Sequence, residues 1–454
     1  MLLMKKMKIG IIFVGRIYTP SMEERKVVDC DLSEPEKLNF LTDDNFKAKY
    51  SAAIRKLLPE GVDSFSCEVE SENDAIDVAE ADAYVLMPFN AIDKVFGVLH
   101  SKNKPIVIYT APYSEIWSYG NVFYPYFMRD VRKIDSYMGI NPDVYLADSE
   151  KDFSDYMDAL LVRYKINNTR VLCIGEAMYE PYHSFNWGYE IIRLIQAKFG
   201  IKWFHMGKDR FLKEYEKVEA GDPDYIRKLA KNDRIPKEYS AADCEKAHRV
   251  YQKLIKEYDA NAFTVNCLES TVHTSCHTTS CFALSRLNDE GVISACEADA
   301  TTLMDMLITS YASGEPSFML NPYLFPMDNK LFVSHCTSPT KRSYSNDEKD
   351  EFNAYAYFEM RTLPCGLQIL KQPGPVTVTG ISHDKLDKMV IVRGNLVRNT
   401  AFPSCRTQVE IDVPGGIKKL AENYEGRHWA LVYGDQSEKI ANANEMLGIE
   451  SIII

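Results

Sequence analysis

No stretch of this 454-residue chain stays apolar for the ~18 positions that a membrane-spanning helix needs. A membrane partner is therefore not expected. Positive charge is in short supply as well, with 53 Lys and Arg against 65 Asp and Glu and a formal net charge of −12. That balance favours solubility and works against a phosphate backbone, so nucleic acid is a poor partner. The 11 cysteines are too few for a disulfide scaffold of this length, and their odd number leaves at least one unpaired. Reduced thiols in a cytoplasmic enzyme are the expectation. Neither a Walker loop nor Gly-x-Gly-x-x-Gly occurs between a strand and a helix, which leaves nucleotide binding without local support. Also missing are internal repeats and long low-complexity tracts. The opening, Met1-Leu-Leu-Met-Lys-Lys-Met-Lys-Ile-Gly-Ile-Ile-Phe-Val-Gly15, interrupts its apolar residues with charge rather than preceding them with it. This reads as a first β-strand and not as a signal peptide.

What is there is alternation. Lys8–Val14, Ala83–Met87 and Pro105–Tyr109 are short apolar runs of the kind buried in parallel sheets, and Asn45–Leu58 has helical spacing. Past the helical stretch Phe153–Arg163, the pattern restarts at Arg170-Val-Leu-Cys-Ile-Gly175, and an amphipathic helix from Tyr189 ends at Phe199-Gly200, with glycine where a helix C-terminus takes it. Beyond His335 the character becomes β-rich, in Pro375–Gly380, Lys388–Arg393, Thr407–Asp412 and Trp429–Tyr433. The Thr-x-Val-x-Ile alternation there suits strands with one wet face, and Lys341–Glu351 reads as an exposed connector. The expected fold class is α/β, with two doubly wound α/β domains, 1–168 and 169–345, followed by a smaller β-rich C-terminal domain, 346–454.

Three segments carry chemistry: Ser294-Ala-Cys-Glu-Ala-Asp299, Ser334-His-Cys-Thr-Ser-Pro339 and Arg427-His-Trp-Ala-Leu-Val-Tyr-Gly-Asp435. Glu297 sits between the apolar approach Gly291–Cys296 and the helical pattern Ala300–Ile308, while His335 and His428 each adjoin an apolar run. One carboxylate and two imidazoles suit a divalent cation such as Mn²⁺ or Zn²⁺ if they converge. Blander readings stand beside this one. Glu297 can be a first-turn acid stabilised by the helix dipole, and each histidine a hydrogen-bonded structural residue. Asp299 points elsewhere on the helix and reads as a cap or as an acceptor behind a ligand.

Taken in order, these motifs resemble the L-fucose/L-arabinose isomerase superfamily, and its fucose-isomerase-like branch in particular. The shared pattern comprises the Cys-Glu-x-Asp turn opening a helix, the Pro-x-Phe-Met segment leading to Ser-His-Cys, the Cys405-Arg-Thr-Gln-Val409 strand and the His-x-x-Leu-Val-Tyr-Gly-Asp ending. It covers roughly residues 260–454, with a looser α/β match upstream. The resemblance implies a metal-dependent aldose–ketose isomerase working through an enediolate on a free or anionic monosaccharide, with Mn²⁺ as the expected ion. Glu297 matches the catalytic glutamate ligand, His428 the C-terminal histidine ligand, and His335 a histidine ligand of the arabinose-isomerase side. It also implies a homotrimer or homohexamer whose pocket takes a neighbour's N-terminal domain. The loop Tyr113–Gly120 and its Trp117 then become a stacking platform supplied in trans, with core or interface packing of the same aromatics as the blander reading.

One departure matters. The second acidic ligand of these enzymes falls here on Leu320 or Asn321, and neither is a carboxylate. Asn321 offers an amide oxygen to a hard cation but no general base; Glu269 and Asp299 are the other acids near enough in sequence. Within Cys267–Cys281, His273 and His277 belong to a polar loop suited to sugar hydroxyls. A structural zinc on Cys276, Cys281 and one histidine is the alternative, though the paired spacing of zinc motifs is missing. His183-Ser-Phe-Asn-Trp187 follows the strand-like start of the second domain as Tyr113–Gly120 follows the third strand, and Arg406 is placed to hold an anionic substituent or to pair with an internal acid. A non-catalytic sugar-binding homologue, or a different transformation such as epimerisation, remains open on this scaffold.

Overall fold

The computed structural model describes residues 5–14, 46–88, 92–109, 129, 133, 144–177, 188–267, 276–358 and 363–454. Contacts divide the chain into two compact units, Lys5–Leu161 and Val162–Ile454. The first unit carries strands β1 (Lys8–Val14), β2 (Asp63–Val69), β3 (Ala83–Pro88), β4 (Ile106–Tyr109) and β5 (Val144–Ala147). They form a parallel sheet in the order β2-β1-β3-β4-β5. Helices α1 (Phe46–Leu57), α2 (Glu72–Asp77), α3 (Ile92–Ser101) and α4 (Glu150–Asn167) alternate with the strands, and α4 runs on past the division at 161. Strand β1 is buried along six of its seven residues, as a central parallel strand must be. A capping box opens α2, in which the Ser71 hydroxyl accepts from the Asp74 backbone and the Asp74 carboxylate accepts from the Ser71 backbone.

In the second unit the alternation continues through β6 (Arg170–Ile174), α5 (Gly188–Phe199), β7 (Lys202–Met206), α6 (Lys208–Glu216), α7 (Tyr225–Leu229), β8 (Asn232–Arg234), α8 (Ala242–Glu257), β9 (Ala262–Val265), α9 (Cys281–Asp289), β10 (Ile293–Ala295) and α10 (Ala300–Ser313). Strands β10-β9-β6-β7 make a second parallel sheet. Then come β11 (Phe318–Phe325), β12 (Lys330–His335), β13 (Phe352–Ala356), β14 (Pro364–Ile369), β15 (Gly374–Ile381), β16 (Lys388–Asn399), β17 (Thr407–Asp412), α11 (Ile417–Glu422), β18 (Trp429–Tyr433), α12 (Ser437–Leu447) and β19 (Glu450–Ile453). Strands β15-β18-β11-β12-β17-β16 close on themselves through β15–β16 pairing, and β19 adds to β16. The result is mixed α/β, with parallel sheets and a C-terminal antiparallel barrel. A separate small sheet has the order β14-β13-β8.

The barrel interior is packed with Phe318, Leu320, Leu331, Val333, Val376, Val378, Val409, Ile411, Trp429 and Leu431. At Gly380 the neighbouring Trp429 ring leaves no room for a side chain, since a Cβ there would lie 2.3 Å from its Nε1. A second core joins the parallel sheet, α10 and the outer face of the barrel, where Ile381, Met389, Ile391 and Ala430 meet Leu303, Met306 and Leu307. The expectation of one wet face on the Thr407-x-Val409-x-Ile411 strand is corrected, since Gln408 and Glu410 between these residues are buried as well. Thr377 and Thr379 alternate outward, yet both are fully buried. Their hydroxyls donate to the Gly434 carbonyl at 2.8 Å and the Asp305 carboxylate at 2.6 Å. Threonine suits this position because it packs against a helix while satisfying a buried acceptor.

Candidate metal centre

The turn between β10 and α10 builds one wall of the site. Beyond Ala295 the backbone enters the left-handed region at two successive residues, Glu297 (φ 64°) and Ala298 (φ 52°). Neither is glycine, so the turn carries strain that the surrounding contacts must offset. Two of those contacts are the Ala298 amide donating to the Val265 carbonyl at 2.9 Å and the Cys296 amide meeting the Met319 sulfur at 3.2 Å. Asp299 then caps α10, accepting from the Thr302 amide at 2.9 Å.

The other wall is the barrel rim. His335 ends β12, and His428 immediately precedes β18. Strand β11 pairs with both, through Asn321–Ser334 on one side and Leu320–Trp429 on the other. The two imidazoles thus rise from strands that flank a single strand, with ring centres 5.7 Å apart and planes at 84°. His335 Nε2 lies 3.6 Å from Glu297 Oε1, and His428 Nε2 lies 3.8 Å from Glu297 Oε2. Among the described residues, Glu297, His335 and His428 form the group that could hold a metal ion, with one ligand atom from each and all three within 4.8 Å of one another.

Both rings are buried, whereas Glu297 keeps 23% of its side-chain surface. The backs of the rings differ. His428 Nδ1 meets Asp299 Oδ2 at 2.7 Å, and His335 Nδ1 meets the Thr337 hydroxyl at 3.1 Å. Burial works to raise the Glu297 carboxyl, but the two imidazoles outweigh it and hold it at about 2. Burial likewise opposes ionisation of Asp299, and contact with His428 and the Thr302 amide still keeps its carboxyl well below the usual range. For His428 burial disfavours the charged ring, and the Asp299 and Glu297 carboxylates overcome it to raise its pKa.

The residues present fit a divalent cation. The Nε2 of His335 is buried without a hydrogen-bond partner, a costly state for a polar atom unless something else uses its lone pair. It faces a carboxylate oxygen and a second imidazole, a mixed oxygen and nitrogen donor set suited to a borderline or hard ion.

The remaining candidates among the described residues have other surroundings. Asn321 lies on β11, and its amide donates to the Ser334 carbonyl at 3.3 Å, one residue before His335. Leu320 is fully buried in the barrel core. Arg406 is committed to structure, with Nε and Nη2 on the Ala356 carbonyl at 3.2 and 3.0 Å and the guanidinium over the Tyr355 ring at 5.0 Å. His277 is exposed, with φ 51°. Cys276 belongs to the α/β core, while Cys281 packs with Cys336 and Tyr357. Trp117 and the rest of Tyr113–Gly120, His183–Trp187, Glu269 and His273 lie outside the described residues. Sequence reasoning missed Thr302, Thr337 and Asp305. A buried acid within the apolar helix Ala300–Ser313 was the available signal for the last.

No family model matches the chain. The sulfoquinovose isomerases of Priestia aryabhattai and Priestia megaterium are each 24% identical to it over 183 residues, which is 38% of this chain and 39% of theirs. The chain thus matches about two fifths of the length of these curated relatives, and the likeness is to sugar isomerases at that level. A solved structure described as a putative two-component system response regulator/GGDEF domain protein is 13% identical, covers 57% of this chain and 82% of its own, and has a TM-score of 0.21. That score carries no argument about fold or function.

Proposed function

We propose that the protein is a metal-dependent aldose–ketose isomerase acting on a free or anionic monosaccharide. The observation that carries this reading is the convergence of Glu297, His335 and His428 around a buried, unpartnered imidazole nitrogen. These three residues would hold the ion, with Mn²⁺ the ion proposed. When bound, a divalent cation supplies the positive charge that polarises a carbonyl oxygen and acidifies the neighbouring C–H.

The chain's own residues do the rest. Glu297 is the group of the three with surface open to a small molecule, and its low pKa keeps it ionised at neutral pH. It accepts the proton from one carbon and returns it to the adjacent one. Likeness to sulfoquinovose isomerases, which are named for a sulfonated sugar, supports an anionic monosaccharide among the substrates. A homotrimer or homohexamer belongs to the same reading. A cytoplasmic setting does too, and no helix among the described residues is long and apolar enough to cross a membrane.

A second reading, a sugar-binding homologue without turnover, is favoured by Asn321, which offers no second carboxylate and spends its amide on Ser334. One experiment separates the two. Purified chain is titrated with Mn²⁺ and assayed on pentoses, 6-deoxyhexoses and sulfonated or phosphorylated hexoses. Metal-dependent interconversion of one of them supports the isomerase. Mn²⁺ and sugar binding without turnover supports the second reading, and the absence of Mn²⁺ uptake refutes the metal centre.

A further inference from the structure

The carboxylate of Asp299 has two duties. Its Oδ1 accepts from the Thr302 amide at 2.9 Å, and its Oδ2 accepts the Thr302 hydroxyl at 2.8 Å while facing His428 Nδ1 at 2.7 Å. An ionised carboxylate has acceptors only. The ring nitrogen opposite it must therefore carry a proton, and in the neutral ring the lone pair is left on Nε2, the atom that faces Glu297. His335 has no such instruction. Its Nδ1 partner is the hydroxyl of Thr337, which donates or accepts equally well.

We infer that Asp299 is a positioning residue that fixes the tautomer of His428, making this ring the anchor of the cation site and His335 the weaker ligand. The inference rests on the metal reading of the site. It follows from the donor and acceptor inventory, because asparagine cannot replace Asp299 in either orientation. With its amide nitrogen toward His428, the asparagine side chain presents a donor to Nδ1 and drives the proton to Nε2. With its oxygen toward His428, the amide nitrogen confronts the Thr302 amide, and the cap of α10 is lost.

Thr302→Val is the control. It removes the hydroxyl from the same carboxylate but leaves the contact with His428. Mn²⁺ affinity is measured by electron paramagnetic resonance of the free ion on wild type, Asp299→Asn, Thr302→Val and Thr337→Val. The expected loss is about 10- to 100-fold for Asp299→Asn, with the other two variants staying within about fivefold of wild type. Equal losses in Asp299→Asn and Thr302→Val would mean that the hydroxyl contact to the carboxylate, and not the tautomer of His428, sets the affinity, and would overturn the inference.

A second measurement needs neither metal nor variant. Ring ¹⁵N shifts of His428 in metal-free protein at alkaline pH should place the proton on Nδ1, and a proton on Nε2 overturns the inference even if Asp299→Asn does not fold. Should wild type take up no Mn²⁺ while His428 still carries its proton on Nδ1, the metal reading fails and the positioning role of Asp299 stands.

Discussion

Replacing Asp305 with asparagine should invert its effect on stability between acid and alkaline pH. Asp305 is fully buried in α10, where its Oδ1 accepts the hydroxyls of Thr379 at 2.6 Å and Thr309 at 3.2 Å, and its Oδ2 has no partner. Burial pushes its carboxyl from 3.8 up to about 7. Below pH ~4 the group is protonated in both folded and unfolded chains and costs nothing. Between the two values the unfolded chain releases its proton while the folded chain holds it, so stability falls as pH rises. Above about 7 the full penalty is present. At ~1.4 kcal/mol per pH unit, a shift of roughly three units amounts to about 4 kcal/mol. Asparagine keeps the carbonyl acceptor for both threonines but buries an amide donor in place of Oδ2, at a cost of about 1–3 kcal/mol. Asp305→Asn should therefore be less stable than wild type at pH 4 and more stable at pH 8. Urea denaturation of both proteins across that range measures the difference, in which the shared titrations cancel. A difference that does not change with pH would refute the reasoning.

Glu297→Gln should weaken Mn²⁺ binding at least tenfold and abolish isomerisation, since the amide keeps the shape but loses the charge; calorimetric titration alongside turnover checks both. Leu320→Asp, which puts a carboxylate in the barrel interior, should cost several kcal/mol. Asn321→Asp, which gives up the contact with the Ser334 carbonyl, should cost far less stability than Leu320→Asp while altering Mn²⁺ affinity. Lys371 and Asp350 form a buried ion pair at 3.3 Å. Lys371→Met should destabilise the fold by about 3 kcal/mol, because it leaves the buried Asp350 carboxylate with Arg342, at 3.5 Å, as its remaining ionic partner. Gly380→Ala should lower stability by about 1–3 kcal/mol, as the Trp429 indole must move to admit the methyl group.

The parallel strands were readable because their burial leaves apolar runs, as at β1 and β6. The cap of α10 was readable because Asp299 stands directly before the helical pattern. Glu297, His335 and His428 could each be singled out in the sequence, but not their approach. Their approach depends on β11 pairing with both β12 and β18, a non-local arrangement that no local spacing encodes. The alternation at Thr407–Ile411 misled for the same reason, since it reveals two faces of a strand but not what covers the outer one. Strand β8, Asn232–Arg234, is exposed at all three residues and offered no apolar signal. Arg406 carried no sign in its neighbours that the Ala356 carbonyl would claim it.

The hairpin between β11 and β12 turns through Pro326–Asp328, where Met327 is 97% exposed. Its two arms are unequal in their freedom. A residue inserted at this tip would lengthen a surface loop at little cost. The same residue inserted between Phe318 and Asn321 would shift the pairing on both sides at once and turn Leu320 out of the barrel. Tolerance to a change in length should therefore drop sharply along a few residues of one strand. A library of single-residue insertions across 318–335, selected for soluble expression, would trace that gradient from a permissive tip to an intolerant base.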